Sequence, residues 1–362
     1  MQLHIVGGFL GSGKTTAIAA ACKTLSSRKK TVGVITNDQG KYLVDTSFFD
    51  NQKISAVQVA GGCFSCNYDD LMEKTDRLSR TIQPDVIFAE AAGASADIVA
   101  TVIKPLRDVW KDREISITLS VFADTRLFNQ WISGDETPFS QKVMYLYGKQ
   151  IEEAGLLILN KRDLLSPGRG RLALDDARGR YPRKNIRLQN SLDILQVDSW
   201  LDELEAMSNK PVDLLSLPID YNWYAAGKAA LAWLDTSFEF QAEGTTDMRP
   251  LAVDWITSLD REFRLHSIGV GHLKLMLQAG KTEAKVSLTA GDAVSWRRQI
   301  PDMRGKTLRA LVNARAEYDP SQLHDLVTKA ARSVAENHQC QMEEKDTEAF
   351  RPGFPKPKRR MM

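Results

Sequence analysis

Ten residues near the start constrain this chain more than any others: Gly7 to Thr16, reading GGFLGSGKTT. Gly8, four intervening residues, Gly13, Lys14 and Thr15 match a phosphate-binding loop. The apolar run Leu3–Val6 before it reads as a strand and Ala17–Leu25 after it as a helix, which is the setting such a loop needs. Gly8, Gly11 and Gly13, with Ser12 among them, let successive backbone N–H groups turn toward one phosphate, and the helix N-terminus adds its dipole. Lys14 is placed to reach the β- and γ-phosphates and Thr15 to bind Mg²⁺, with Thr16 completing the nucleotide-binding run.

A loop of this kind belongs in a parallel sheet, and the following sequence agrees. Short β-branched or apolar runs recur at Thr31–Thr36, Ile54–Val59, Val86–Ala89, Ile115–Phe122 and Leu156–Leu159. Helical patterns lie between several of them, notably Asp69–Thr81 and Pro138–Ala154, and Ser199–Ser208 reads as a closing helix. This alternation predicts an α/β fold, a P-loop NTPase domain over residues 1–210 with a mostly parallel sheet covered on both faces. A linker is expected at 211–219, where Pro211 and Pro218 stand. Beyond it the pattern becomes strand, helix, three strands, helix, which predicts a small α+β domain over 220–338. Residues 339–362 hold charges, three prolines and KPKRR, so a disordered tail is expected there.

Composition narrows the partners. Lys plus Arg is 48 against 46 Asp plus Glu, a net charge of +2, which argues against a general nucleic-acid coat. No apolar run approaches the ~18–20 residues of a membrane span. The N-terminus lacks the charge and apolar pattern of a signal peptide, and four cysteines (Cys22, Cys63, Cys66, Cys340) fit a reducing compartment, so the cytoplasm is the expected location.

Four further motifs carry chemistry. Asn160-Lys161-Arg162-Asp163 follows the run Leu156–Leu159. A buried carboxylate at Asp163 would accept two hydrogen bonds from the guanine N1 and N2 donors and reject adenine, which has no such pair. Glu90 ends the run Val86–Ala89, where P-loop proteins place a Mg²⁺- or water-positioning acid, and Gly93 could bring a backbone N–H to the γ-phosphate. Asp38, in Asn37-Asp38-Gln39-Gly40, is a second acid for Mg²⁺ or the attacking water. Finally, Gly61-Gly62-Cys63-Phe64-Ser65-Cys66 sets two thiols three apart on a glycine-rich loop. They suit a soft ion, a redox dithiol or plain packing.

Together GGFLGSGKTT, GGCFSC, FAEAAG and QIEEAGLLILNKRDLL resemble the CobW-type GTPases, the metallochaperone group related to the urease and hydrogenase nickel-insertion GTPases. The resemblance covers most of residues 1–200. It implies GTP and Mg²⁺ as ligands, hydrolysis to GDP and phosphate, and zinc or cobalt carried on Cys63 and Cys66. The implied partner is a client metalloprotein or a corrinoid-pathway protein, with neither nucleic acid nor membrane involved. The family's Cys-x-Cys-Cys motif here has Ser65 in its middle position, a poor zinc ligand. With no arginine evidently placed as a finger, hydrolysis is expected to be slow unless a client or a second copy in a homodimer completes the site. The rival readings are a regulatory GTP switch without metal cargo and a P-loop small-molecule kinase.

Overall fold

The computed structural model describes residues 1–38, 49, 54–209, 214–289 and 294–362, without the side chains of Asp38, Val294 and Ser295. Its first part is a seven-stranded parallel sheet, ordered β3-β2-β4-β1-β5-β6-β7. The strands are β1 (Gln2–Gly8), β2 (Val32–Asp38), β3 (Ser55–Ala60), β4 (Val86–Glu90), β5 (Ser116–Asp124), β6 (Leu156–Asn160) and β7 (Asn185–Leu188). The central strands read as apolar runs because both faces are covered. On one face Ile18 and Cys22 of the helix Lys14–Ser27 pack with Phe88, Phe122 and Trp200. On the other, Leu3, Ile5 and Leu157 pack with Val143, Tyr147 and Ile151 of the helix Gln141–Glu152. The parallel register brings the C-terminal ends of β1, β2, β4 and β6 to one edge, where ligands of such sheets bind.

The second part is a five-stranded antiparallel sheet, ordered β10-β9-β11-β8-β12. It comprises β8 (Leu231–Asp247), β9 (Gly269–Ala279), β10 (Thr282–Leu288), β11 (Arg304–Glu317) and β12 (Gln341–Phe350). Val270, Leu273, Leu275 and Leu277 of β9, with Trp255, Leu259, Leu323 and Val327 from the helices Arg249–Leu265 and Pro320–Asn337, build a separate core. The other face is polar and turns toward the first sheet's ligand edge.

Two expectations change here. The helix Tyr221–Ala230, assigned by sequence to the second domain, packs on Gln141–Glu152 and buries Tyr224 in the first core, so the α+β unit begins at Leu231. The segment expected to be a disordered tail is ordered: Gln341–Phe350 pairs antiparallel with β8 through backbone bonds, which charged side chains do not oppose. Pro352 and Pro355 are buried, and the chain runs on to the first domain, where Lys358 N donates to Ser65 O and Met361 N to Ala100 O. Among the described residues no helix is long and apolar enough to cross a membrane.

Candidate nucleotide and dithiol site

The phosphate loop turns because its glycines permit it. Gly8 and Gly13 sit at φ +123° and +91°, and a Cβ on Gly13 would lie 2.4 Å from Asn160 Nδ2. Lys14 is buried, and its Nζ donates to the carbonyls of Gly8 (2.9 Å) and Phe9 (3.0 Å), which holds the ammonium inside the loop. Thr15 Oγ1 donates to Glu90 Oε1 at 2.9 Å, so the two Mg²⁺ candidates read from sequence meet across the strand edge. A buried hydroxyl beside a buried carboxylate is the all-oxygen donor set Mg²⁺ prefers. The Asp38 side chain, and Gln39 and Gly40, lie outside the described residues.

Behind Glu90 the chain is fixed rather than loose. Ala91 N donates to Val6 O, and Gln150 Nε2 donates to the carbonyls of Gly93 (3.0 Å) and Ser95 (2.7 Å). Gly93 packs on the phosphate loop, where a Cβ would meet Leu10 Cδ2 at 2.5 Å. On the base side Asn160 is buried, donating to Ser12 O at 2.8 Å and accepting from Ser191 Oγ at 2.8 Å. Lys161 takes the left-handed conformation at φ 61°, which swings Asp163 to the rim. Asp163 is exposed rather than buried as the discrimination argument assumed, and it shares the cleft with Asn190, Ser191 and Leu192. The sequence reading missed this last trio because the strand before it, β7, is short and reads NIRL, without an apolar run. Lys14, Thr15, Glu90, Gly93, Asn160 and Asp163 border one cleft of about 470 Å³.

The dithiol loop follows β3. Cys63 is 1% exposed and Ser65 8%; Cys66 is half-buried. The two sulfurs lie 3.2 Å apart and share a hydrogen bond, and Cys63 Sγ is 3.1 Å from Ser65 Oγ. That shared hydrogen bond holds the Cys63 thiol well below its usual range; burial opposes it, and the ammonium of Lys228 and the Ser65 hydroxyl reinforce it. Cys66 is pushed up by the same bond and by burial. Lys228 is buried in the helix Tyr221–Ala230, far away in sequence, and no local pattern marks it. A close sulfur pair suits a soft divalent ion and would supply two of the four ligands a zinc-like ion takes. No cluster of three or more His, Cys, Asp or Glu occurs among the described residues. The His-x-Cys pair His338 and Cys340 sits elsewhere, with His338 Nε2 bonded to Asp254.

Two structural links reach this loop. Asn37, at the end of β2, lines the nucleotide cleft, and its Nδ2 donates to Gly62 O (2.6 Å) and Val59 O (3.0 Å) on the thiol loop. The chain end crosses its other side: Lys358 pairs with Asp69, Arg359 lies over the Tyr68 ring at 5.2 Å, and Arg360 Nε bonds Asp97 Oδ2 at 2.8 Å.

Comparison with known proteins places the first part of the chain in a family. A family profile described as "CobW/HypB/UreG, nucleotide-binding domain" matches residues 2–184. The zinc chaperone CobW of Sinorhizobium sp is 25% identical over 205 residues, covering 51% of this chain and 57% of that protein. The zinc chaperone YeiR of Escherichia coli (strain K12) is 24% identical over 169 residues, covering 46% of this chain and 48% of that protein. The chain thus spans about half the length of these curated relatives. Among solved structures, HypB from Helicobacter pylori in complex with nickel overlaps 60% of this chain and 91% of its own, with TM-score 0.43 and 13% identity.

Proposed function

The chain belongs to the CobW/HypB/UreG nucleotide-binding family, and from that premise we propose that it is a GTP-hydrolysing metallochaperone carrying a transition metal, zinc or cobalt, on Cys63 and Cys66. The observation that carries the reading is the Asn37 amide, which borders the nucleotide cleft and holds Val59 O and Gly62 O of the thiol loop. A change at the terminal phosphate that moves Asn37 changes the geometry beside Cys63. Family members include P-loop GTPases and proteins named zinc chaperone and urease accessory protein, which supports the same assignment.

Each residue has a role on this reading. Lys14 and the loop N–H groups stabilise charge on the β- and γ-phosphates. Asp163 reads guanine N1 and N2, while Asn160 fixes the base-side loop against Ser12. Mg²⁺, when bound, neutralises phosphate charge; Thr15 and Glu90 would hold it, with Asp38 as a further acid. Cys63 and Cys66 hold the cargo, and the client supplies the ligands the chain lacks.

Isothermal titration with GTP, GDP and ATP tests the nucleotide half. Guanine nucleotides bind and ATP does not, and Asp163→Ala reduces the preference by tenfold or more, on the order of one lost buried hydrogen-bond pair. Equal binding of ATP and GTP would contradict the reading. A second reading, a GTP switch without cargo, is favoured by Ser65 and by the two-thiol donor set. It predicts nucleotide binding that is indifferent to metal.

A further inference from the structure

The two thiols of the loop after β3 are placed to react with each other as well as to hold an ion. Their sulfurs lie 3.2 Å apart, and a disulfide of about 2 Å needs them to close by only about 1 Å. The backbone meets the same requirement. Cys66 N donates to Cys63 O at 3.0 Å and Asn67 N to the same carbonyl at 2.9 Å, so the two cysteines close one tight turn. Such a turn keeps its outer Cα atoms within about 7 Å, which overlaps the range of about 4.4–6.8 Å that a disulfide spans.

Both flanks of the turn are pinned. Asn37 Nδ2 donates to Gly62 O at 2.6 Å, Asn67 Nδ2 to Ala60 O at 2.6 Å, and Leu71 N to Asn67 O at 3.1 Å, where the helix Tyr68–Ile82 begins. Closing the bond is therefore a matter of side-chain rotation rather than of folding the loop. Ser65 stands between the thiols, and its hydroxyl forms no sulfur–sulfur bond, so the loop has a single possible pairing. Cys22 packs in the core under the helix Lys14–Ser27 and Cys340 against the core of the second sheet. Access to the pair is unequal: Cys63 is 1% exposed and Cys66 half-buried. An external reagent meets Cys66 first, and Cys63 stands behind it, within reach of the Cys66 sulfur.

We propose that Cys63 and Cys66 form a reversible intramolecular disulfide, which makes this loop a thiol-redox site. Its consequence for cargo rests on the carrier reading above: a closed disulfide leaves neither sulfur as a thiolate ligand, so oxidation releases the metal and reduction restores the site. The oxidant is a low-molecular-weight disulfide such as glutathione disulfide. The Cys66 thiolate attacks one of its sulfurs; a bond to Cys66 forms, the oxidant's own sulfur–sulfur bond breaks, and one thiolate leaves. The Cys63 thiolate then attacks the Cys66 sulfur, forming the Cys63–Cys66 bond and expelling the second thiolate. The protein gives up two electrons, the oxidant gains them, and the two protons released by the cysteines end on the two departing thiols.

The test exposes the reduced, metal-free full chain to graded mixtures of oxidised and reduced glutathione and reads intact mass, peptide mass and free-thiol count. The native protein is expected to become lighter by two hydrogens, to lose two thiols and to yield one cross-linked peptide containing Cys63 and Cys66, all reversed by dithiothreitol. Cys63→Ser stops at a mixed disulfide on Cys66, and Cys66→Ser, left with the buried thiol, reacts more slowly than Cys63→Ser. A native protein that keeps both thiols free at every ratio, or that holds glutathione on Cys66 without expelling it, overturns the proposal. Cobalt titration of the reduced and oxidised forms separates this result from the carrier reading. The thiolate-to-cobalt band is expected in the reduced form and lost in the oxidised one; a band that survives closure overturns the switch. A reduced protein that binds no metal, yet closes the disulfide, contradicts the carrier reading and supports the redox site. A metal-binding protein whose thiols never close overturns the redox site alone.

Discussion

Replacing Asn37 with alanine isolates the link between the two halves of the site. The side chain is 8% exposed and its amide donates to Val59 O at 3.0 Å and Gly62 O at 2.6 Å. Two neutral hydrogen bonds contribute about 1 kcal/mol each net, so the coupling they transmit is at most about 2 kcal/mol. At 1.4 kcal/mol per tenfold, that is about a 30-fold difference in metal affinity between the GTP and GDP states. The assay is cobalt titration of the reduced protein with each nucleotide, read by thiolate-to-cobalt absorbance. In Asn37→Ala the ratio of the two cobalt affinities falls toward one, while each affinity remains measurable. Linkage makes the effect reciprocal: cobalt shifts GTP affinity by the same factor in the native protein and fails to do so in the variant. Circular dichroism checks the fold, because losing the amide leaves two carbonyls without their donor at a cost of about 1–3 kcal/mol. A folded Asn37→Ala with the native cobalt ratio refutes the reasoning.

Other consequences follow from the same contacts. Burial raises the Glu153 carboxyl to about 8, so the folded state keeps a proton the unfolded chain releases above about 4.5; stability falls as pH rises from there through 8. Glu153→Gln should remove that slope and gain on the order of 3 kcal/mol at pH 7, read by urea unfolding between pH 5 and 8. His4 works in the opposite sense: burial lowers it to about 3, so its contribution is complete above about 6.5 and is lost as pH falls, roughly 2 kcal/mol by pH 5. Arg315→Ala would strand the buried Asp235 carboxylate and cost about 3–5 kcal/mol, measured by thermal melting of the full chain. Lys358→Ala with Arg360→Ala should loosen the chain end over the thiol loop and speed alkylation of Cys66 by about tenfold. Cys22, fully buried with its thiol pushed up to about 12, stays inert and serves as the internal control; unchanged Cys66 alkylation would contradict the contact.

The phosphate loop, the parallel sheet around it and the acid Glu90 at a strand end were legible because each depends on short-range pattern: glycines at fixed offsets, apolar runs, a carboxylate after one of them. What escaped depends on contacts between distant segments. Lys228 acts electrostatically on Cys63 from another helix, and Thr289 and Gly271 meet the phosphate loop from the C-terminal part of the chain, with nothing local to mark them. The chain end looked unstructured because its side chains are polar and proline-rich, yet an edge strand needs only backbone partners, and β8 provides them. Asp163 was expected buried just after a strand; it lies in the short turn Arg162–Leu164 beyond β6 and is exposed, since depth is set by segments that no local pattern marks.

The central claim is that nucleotide and thiolate-bound metal are coupled in one chain. Its most direct test is titration of the reduced, full-length protein with zinc and with cobalt, in the presence of GTP, of GDP, or of neither, beside a Cys63→Ala, Cys66→Ala variant. The account predicts one equivalent of metal, a thiolate-to-cobalt band that vanishes in the variant, and an affinity that changes with the nucleotide. Intact GTP binding with no thiolate–metal signal in any state would contradict it.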